Sequence, residues 1–135
     1  VHQLLNPPGI APPASRYSHG VVVTGPIRWL AISGQIGTAP DGSVPADTAG
    51  QMELAWDNLL AVLAAGAMAV PDIVKLTVFL TDPADVPLYR QVRDRRLAGH
   101  APATTLLIVA GLASPSLKVE IEALAASAAA GVTMR

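Results

Sequence analysis

From Leu117 to Ala125 the chain reads LKVEIEALA, and strand alternation sets Lys118, Glu120 and Glu122 on one face, with Leu117, Val119, Ile121, Ala123 and Ala125 on the other. Two carboxyl groups side by side can take up and return protons, so chemistry in this chain centres on Glu120 or Glu122. On general grounds a carboxylate on such a strand is more often an exposed neighbour of solvent than a catalyst. The three histidines, His2, His19 and His100, lack HxH or HExxH spacing and an acidic partner in sequence. They read as structural or solvent-facing, and no metal site is expected. The absence of cysteine excludes disulfides and thiolate metal sites.

The elements that must position these carboxylates follow from periodicity. Residues Val1 to Ser15 are proline-rich, which predicts an extended arm crossing the surface without regular structure. Val21 to Thr24 and Ile27 to Ser33 read as strands; the second has apolar residues on both faces and is expected to be central. Asp47 or Thr48 caps a helix from Ala49 to Gly66 whose Met52, Ala55, Trp56, Leu59, Leu60 and Leu63 recur at helical steps. In the next strand, DIVKLTVFLTD, the residues Val74, Leu76, Val78 and Leu80 form an apolar face. Asp85 caps a second helix that carries Leu88, Tyr89 and Val92 on one face and ends near Gly99. Two strands close the chain, Thr104 to Ala110 and Leu117 to Ala125, joined by a turn region from Gly111 to Ser116 that can reverse its direction. Residues 127–135 read as a mobile tail.

The order ββ-α-β-α-ββ predicts a single α+β domain over residues 1–135, with a mixed sheet carrying two helices on one face. Its other face needs a cover. With 51% apolar and only 14% charged residues, further copies of the chain are the simplest cover. A net charge of −1 and the lack of a basic run argue against nucleic acid as a partner. Arg90, Arg93, Arg95 and Arg96 form a cluster expected on a solvated helix face. No apolar run is long enough to span a membrane, and the proline-broken N-terminus does not read as a signal peptide. A soluble cytoplasmic protein is expected.

An ordered set of motifs then stands out: Tyr17-Ser18-His19-Gly20, Ser33-Gly34-Gln35-Ile36-Gly37, Trp56-x-Asn58-Leu59, Val74 to Asp82, Pro102-Ala103 and Val119-Glu120-Ile121-Glu122. Taken together, from about Tyr17 to Ala125, they resemble the Rid family, also called YjgF or RidA. The resemblance implies a chorismate mutase-like fold, a homotrimeric barrel with clefts between subunits, and hydrolysis of reactive enamines and imines without metal or cofactor. It further implies that Glu120 handles the water or its proton, that Tyr17 assists, and that Ser33, Gly34 and Thr104 line the cleft.

One position departs from the family's pattern. Its deaminating members read Pro-Ala-Arg followed by Ser or Thr, whereas this chain has Pro102-Ala103-Thr104-Thr105. A hydroxyl cannot copy the two-pronged charged contact of a guanidinium with a carboxylate. Its loss costs on the order of 2–5 kcal/mol. The expectation is therefore a hydrolase or deaminase for a small imine, enamine or related compound other than the usual 2-imino acid. The alternative is a non-catalytic small-molecule-binding or regulatory trimer, with a ribonuclease third. Arg16 and Arg28 are the candidates to replace the missing arginine.

Overall fold

The computed structural model describes residues 2–129. Strands β1 (His2–Leu5) and β2 (Gly20–Val23) pair antiparallel as a ribbon. Strands β3 (Ile27–Ile36), β4 (Ile73–Leu80), β5 (Ala103–Ile108) and β6 (Val119–Ala128) form a mixed sheet in the order β3-β6-β4-β5. Helix α1 (Thr48–Ala65) crosses from β3 to β4, and α2 (Val86–Leu97) from β4 to β5. The α+β architecture with two helices on one face matches the sequence reading.

Helical spacing buries Met52, Trp56, Leu59 and Leu63 of α1 with Tyr89, Val92 and Leu97 of α2 against alternate residues of the sheet. From β6 these are Val119, Ile121, Ala123 and Ala125, the apolar face that the alternation predicts. Asp47 is the N-cap of α1, its carboxylate accepting from the Gly50 N–H at 2.9 Å. The second helix starts differently from the expectation. Asp82 accepts from the Ala84 N–H and caps a single tight turn, Pro83–Asp85, that feeds α2, while the Asp85 side chain makes no capping bond.

Four further expectations are corrected. The last two strands are not paired: β4 lies between them, parallel to β5 and antiparallel to β6. A crossover through α2 delivers β5 parallel to β4, which leaves β6 to insert on the other side. Strand β3 is consequently an edge of this sheet, and its Trp29 is 57% exposed. A bulge between Ile73 and Lys75 turns Ile73, not Val74, into the core beside Leu76, Val78 and Leu80. The N-terminal arm is not wholly irregular, because His2 to Leu5 form β1 and the His2 ring bonds the Ala126 carbonyl at 2.9 Å.

Residues 127–129 do not belong to the expected tail. Ala128 and Ser127 still pair with Ile27 and Arg28, and the Ala129 N–H donates to the Pro26 carbonyl. The remainder of the expected mobile tail, 130–135, lies outside the described residues. No helix among the described residues is long and apolar enough to cross a membrane.

Candidate functional site

Strand alternation turns Glu120 and Glu122 away from the helices, where they stand opposite Phe79 and Thr77 of β4. Together with Phe79, Val109, Gly111, Leu112 and Ala113 they line a cavity of about 320 Å³. The carboxyl of Glu120 reaches back over Gly34, so closely that a Cβ there would overlap it. This approach depends on a bulge in β3, where residues 32 to 35 span the same length as 123 to 121 on β6. The Ser33 carbonyl in that bulge accepts from the Gln35 side chain at 3.0 Å.

The motif residues downstream hold the end of β3 in place. Asn58 of α1 donates to the carbonyls of Ile36 (2.9 Å) and Thr38 (3.0 Å). Gly37 lies against α1, where a Cβ would stand 2.5 Å from the Gln51 Cα. The two glycines of SGQIG thus have different duties. Gly34 makes room for a carboxyl group, and Gly37 makes room for a helix.

A second cavity, of about 170 Å³, is lined by Ser15, Tyr17, Arg90, Arg93, Thr104 and Leu106. Buried Ser18 brings Tyr17 there by bridging to Ala103 at the start of β5, its hydroxyl donating to the Ala101 carbonyl at 2.6 Å and its N–H to that of Pro102. The ring of Tyr17 meets His19 edge to face at 5.7 Å, and the His19 ring bonds the Ala11 carbonyl at 2.7 Å. His100 bonds the Ile73 carbonyl at 2.8 Å. Both histidines are therefore structural. The Thr104 hydroxyl donates to the Pro102 carbonyl two residues back, at 3.1 Å.

The expectation of a solvated arginine face holds for Arg90 and Arg95, which are exposed, and fails for Arg93 and Arg96. Arg93 is 3% exposed, with Nε and Nη2 donating to Asp94 Oδ1 at 3.0 and 2.9 Å and Nη1 to Ser15 Oγ at 3.5 Å. Arg95 and Arg96 turn to α1, where both pair with Glu53 and Arg96 also pairs with Asp57 at 2.8 Å. Burial alone would raise the Glu53 pKa, but its bonds to Arg96 and Arg95 outweigh that and hold it below the ordinary carboxylate value. Arg16 and Arg28 line neither cavity, and Arg28 instead donates to Ser127 Oγ.

The candidate residues thus fall into two groups. Glu120 sits with Gly34, and Tyr17 sits with Thr104. Thr104 is registered with Leu76, which faces the helices, whereas Glu120 is registered with Phe79, which faces away. The sheet separates the groups within one chain. Sequence reasoning quoted Ser18 and Asn58 within motifs and Arg90 and Arg93 within a cluster but gave none of them, nor Gln51, a role at a cavity; for the two arginines, a spacing of three on a helix that places both on one face was the available signal.

The family model described as Endoribonuclease L-PSP matches residues 9–127. The 2-iminobutanoate/2-iminopropanoate deaminase of Escherichia coli (strain K12) is 39% identical over 102 residues, covering 73% of this chain and 79% of that protein. Among solved structures, the Rid-family protein YyfB from Yersinia pestis superposes with a TM-score of 0.81 at 27% identity, covering 92% of this chain and 97% of that one. The structure of E. coli TdcF with bound serine gives a TM-score of 0.68 at 35% identity, covering 91% and 94% respectively.

Proposed function

Since the chain belongs to the endoribonuclease L-PSP family, the group also called Rid or YjgF, we propose that it hydrolyses the C=N bond of a reactive imine, or of the imine tautomer of an enamine. The site is completed between copies of a homotrimer. The single observation that carries this reading is the pocket built around Glu120, where β3 bulges and Gly34 gives up its side chain so that a carboxyl group can project into a cavity. Supporting it are the deaminase relative and the separation of Tyr17 and Thr104 from Glu120 by the sheet. Three exposed apolar residues, Trp29, Leu107 and Leu124, are the surface that the other copies would cover.

The chemistry needs one well-placed proton carrier. Glu120 takes a proton from water as its oxygen bonds to the imine carbon, and the C=N π electrons move to nitrogen. The protonated carboxyl returns that proton to the nitrogen, giving a carbinolamine. Glu120 then takes the proton of the new hydroxyl and passes it to the amino nitrogen, so that the C=O bond forms as the C–N bond breaks and ammonia leaves. Tyr17, from a neighbouring copy, holds the substrate by its hydroxyl.

The test generates imines in situ, with an amino-acid oxidase for 2-imino acids and an amine oxidase for imines without a carboxylate. Loss of imine is followed with the native protein and with Glu120→Gln. The expected result is turnover that falls at least roughly a hundred-fold in the variant. Undiminished turnover by Glu120→Gln overturns the role of Glu120. Stabilisation by ligand without turnover favours the binding or regulatory alternative. A near-neutral charge keeps ribonuclease activity third.

A further inference from the structure

We propose that Arg90 and Arg93 of α2 form an anion-binding subsite that takes the carboxylate of the substrate in place of the arginine that Thr104 replaces. The substrate class is then a 2-imino acid, contrary to the expectation drawn from Thr104 alone. Use of this subsite in catalysis rests on the C=N hydrolase reading. The binding chemistry does not.

The cavity beside Thr104 has no cation on its strand wall, and the Thr104 hydroxyl is already bonded to the Pro102 carbonyl. Its charge comes from the helix wall. Arg90 and Arg93 are one helical turn apart and both border the space, together with the hydroxyl-bearing Ser15 and Tyr17. Arg93 is held rigidly: it is buried, two of its nitrogens bond Asp94 Oδ1, and a third reaches Ser15. Asp94 offsets one positive charge. Arg90 is exposed and makes no ion pair among the described residues, so the cavity wall carries one uncompensated guanidinium beside a fixed one.

Burying an arginine is unfavourable unless its N–H groups find acceptors, and a guanidinium has five of them in a planar fork suited to carboxylate oxygens. Asp94 accepts from two of the three Arg93 nitrogens through one oxygen. A substrate carboxylate between Arg90 and Arg93 would add acceptors for the donors facing the cavity, and Arg90 would supply the charge that Asp94 does not offset.

The experiment measures binding of pyruvate, a stable 2-oxo acid, and of methyl pyruvate, which lacks the charge, by calorimetry on the full-length protein in its native assembly. The native chain is compared with Arg90→Gln and Arg93→Met. The expected result is that native protein prefers pyruvate and that Arg90→Gln weakens it about ten-fold or more while leaving methyl pyruvate unchanged. Equal binding of the acid and its ester, no pyruvate binding, or unchanged pyruvate affinity in Arg90→Gln overturns the proposal. Should Arg93→Met not fold, the exposed Arg90 decides alone. Arginine-dependent pyruvate binding without imine turnover leaves the subsite standing and sinks the hydrolase reading, so the two failures are distinguishable.

Discussion

Gly34 lies directly beneath the carboxyl of Glu120: a Cβ added there would overlap Oε2 and stand 2.7 Å from Cδ and 2.9 Å from Cγ. What would be displaced is the far end of a flexible side chain, not backbone. Gly34→Ala should therefore fold with a stability loss of about 1 kcal/mol or less, yet move the carboxyl out of its position. Imine turnover is expected to fall about as far as in Glu120→Gln, with little change in melting temperature. An active Gly34→Ala would mean that the position of Glu120 is immaterial.

The matching substitution at Gly37 has the opposite profile. Its Cβ would press on the Cα and carbonyl of Gln51 in α1, at 2.5 and 2.6 Å. A helix backbone cannot rotate away, so Gly37→Ala is expected to destabilise by roughly 1–3 kcal/mol. Thermal unfolding of the two alanine variants side by side checks the contrast.

Gln51 itself joins three segments. Buried at the start of α1, it donates to the carbonyls of Pro45 and Ser116 and accepts from the Lys118 N–H, each at 2.8 to 2.9 Å. Lys118 adjoins the strand that carries Glu120, so this amide ties α1 to the carboxylate strand. Gln51→Leu leaves the Lys118 donor and two carbonyls without that partner and should cost about 2–4 kcal/mol, read in denaturant unfolding.

Much of this architecture was legible because periodicity reports which face of an element is buried. The alternation from Leu117 to Ala125 located the core face of β6, and the stripe from Met52 to Leu63 located that of α1. Pairing was not legible, since a strand with two apolar faces, such as the one around Trp29, reads alike whether a strand or another copy of the chain covers it. Nor was the bulge at Ile73, which exchanges one β-branched residue for another. The site was half legible. Motif order marked Gly34, Glu120, Tyr17 and Thr104, but four arginines on one short helix gave no sign that Arg93 turns inward while Arg96 crosses to α1.

The pair of arginines on α1's side predicts a pH effect. Because the folded-state pKa of Glu53 lies below its ordinary 4.5, the folded protein holds this proton less tightly than the unfolded chain. The stabilisation is present above pH 4.5 and is lost as pH falls through the folded value. Glu53 is over a third exposed, so the contribution is less than about 1 kcal/mol. Glu53→Gln should be slightly less stable than the native protein at pH 7, with the difference vanishing towards pH 3 in paired unfolding curves.

The separation of Tyr17 from Glu120 by the sheet leads to a test of where the complete site lies. If each site takes Glu120 from one copy and Tyr17 from the next, the native protein should sediment at three times the chain mass of 13.9 kDa. Leu124→Glu, which places a charge on the 43% exposed leucine of the outward sheet face, should shift it towards the monomer and abolish turnover. Glu120→Gln and Tyr17→Phe should each be poorly active alone. Unfolded together and refolded as an equal mixture, they would form trimers in which about one quarter of the boundaries join an intact Glu120 to an intact Tyr17. Activity should then rise well above the mean of the two parents. A site lying within one chain would leave every copy defective, and the mixture would show only that mean.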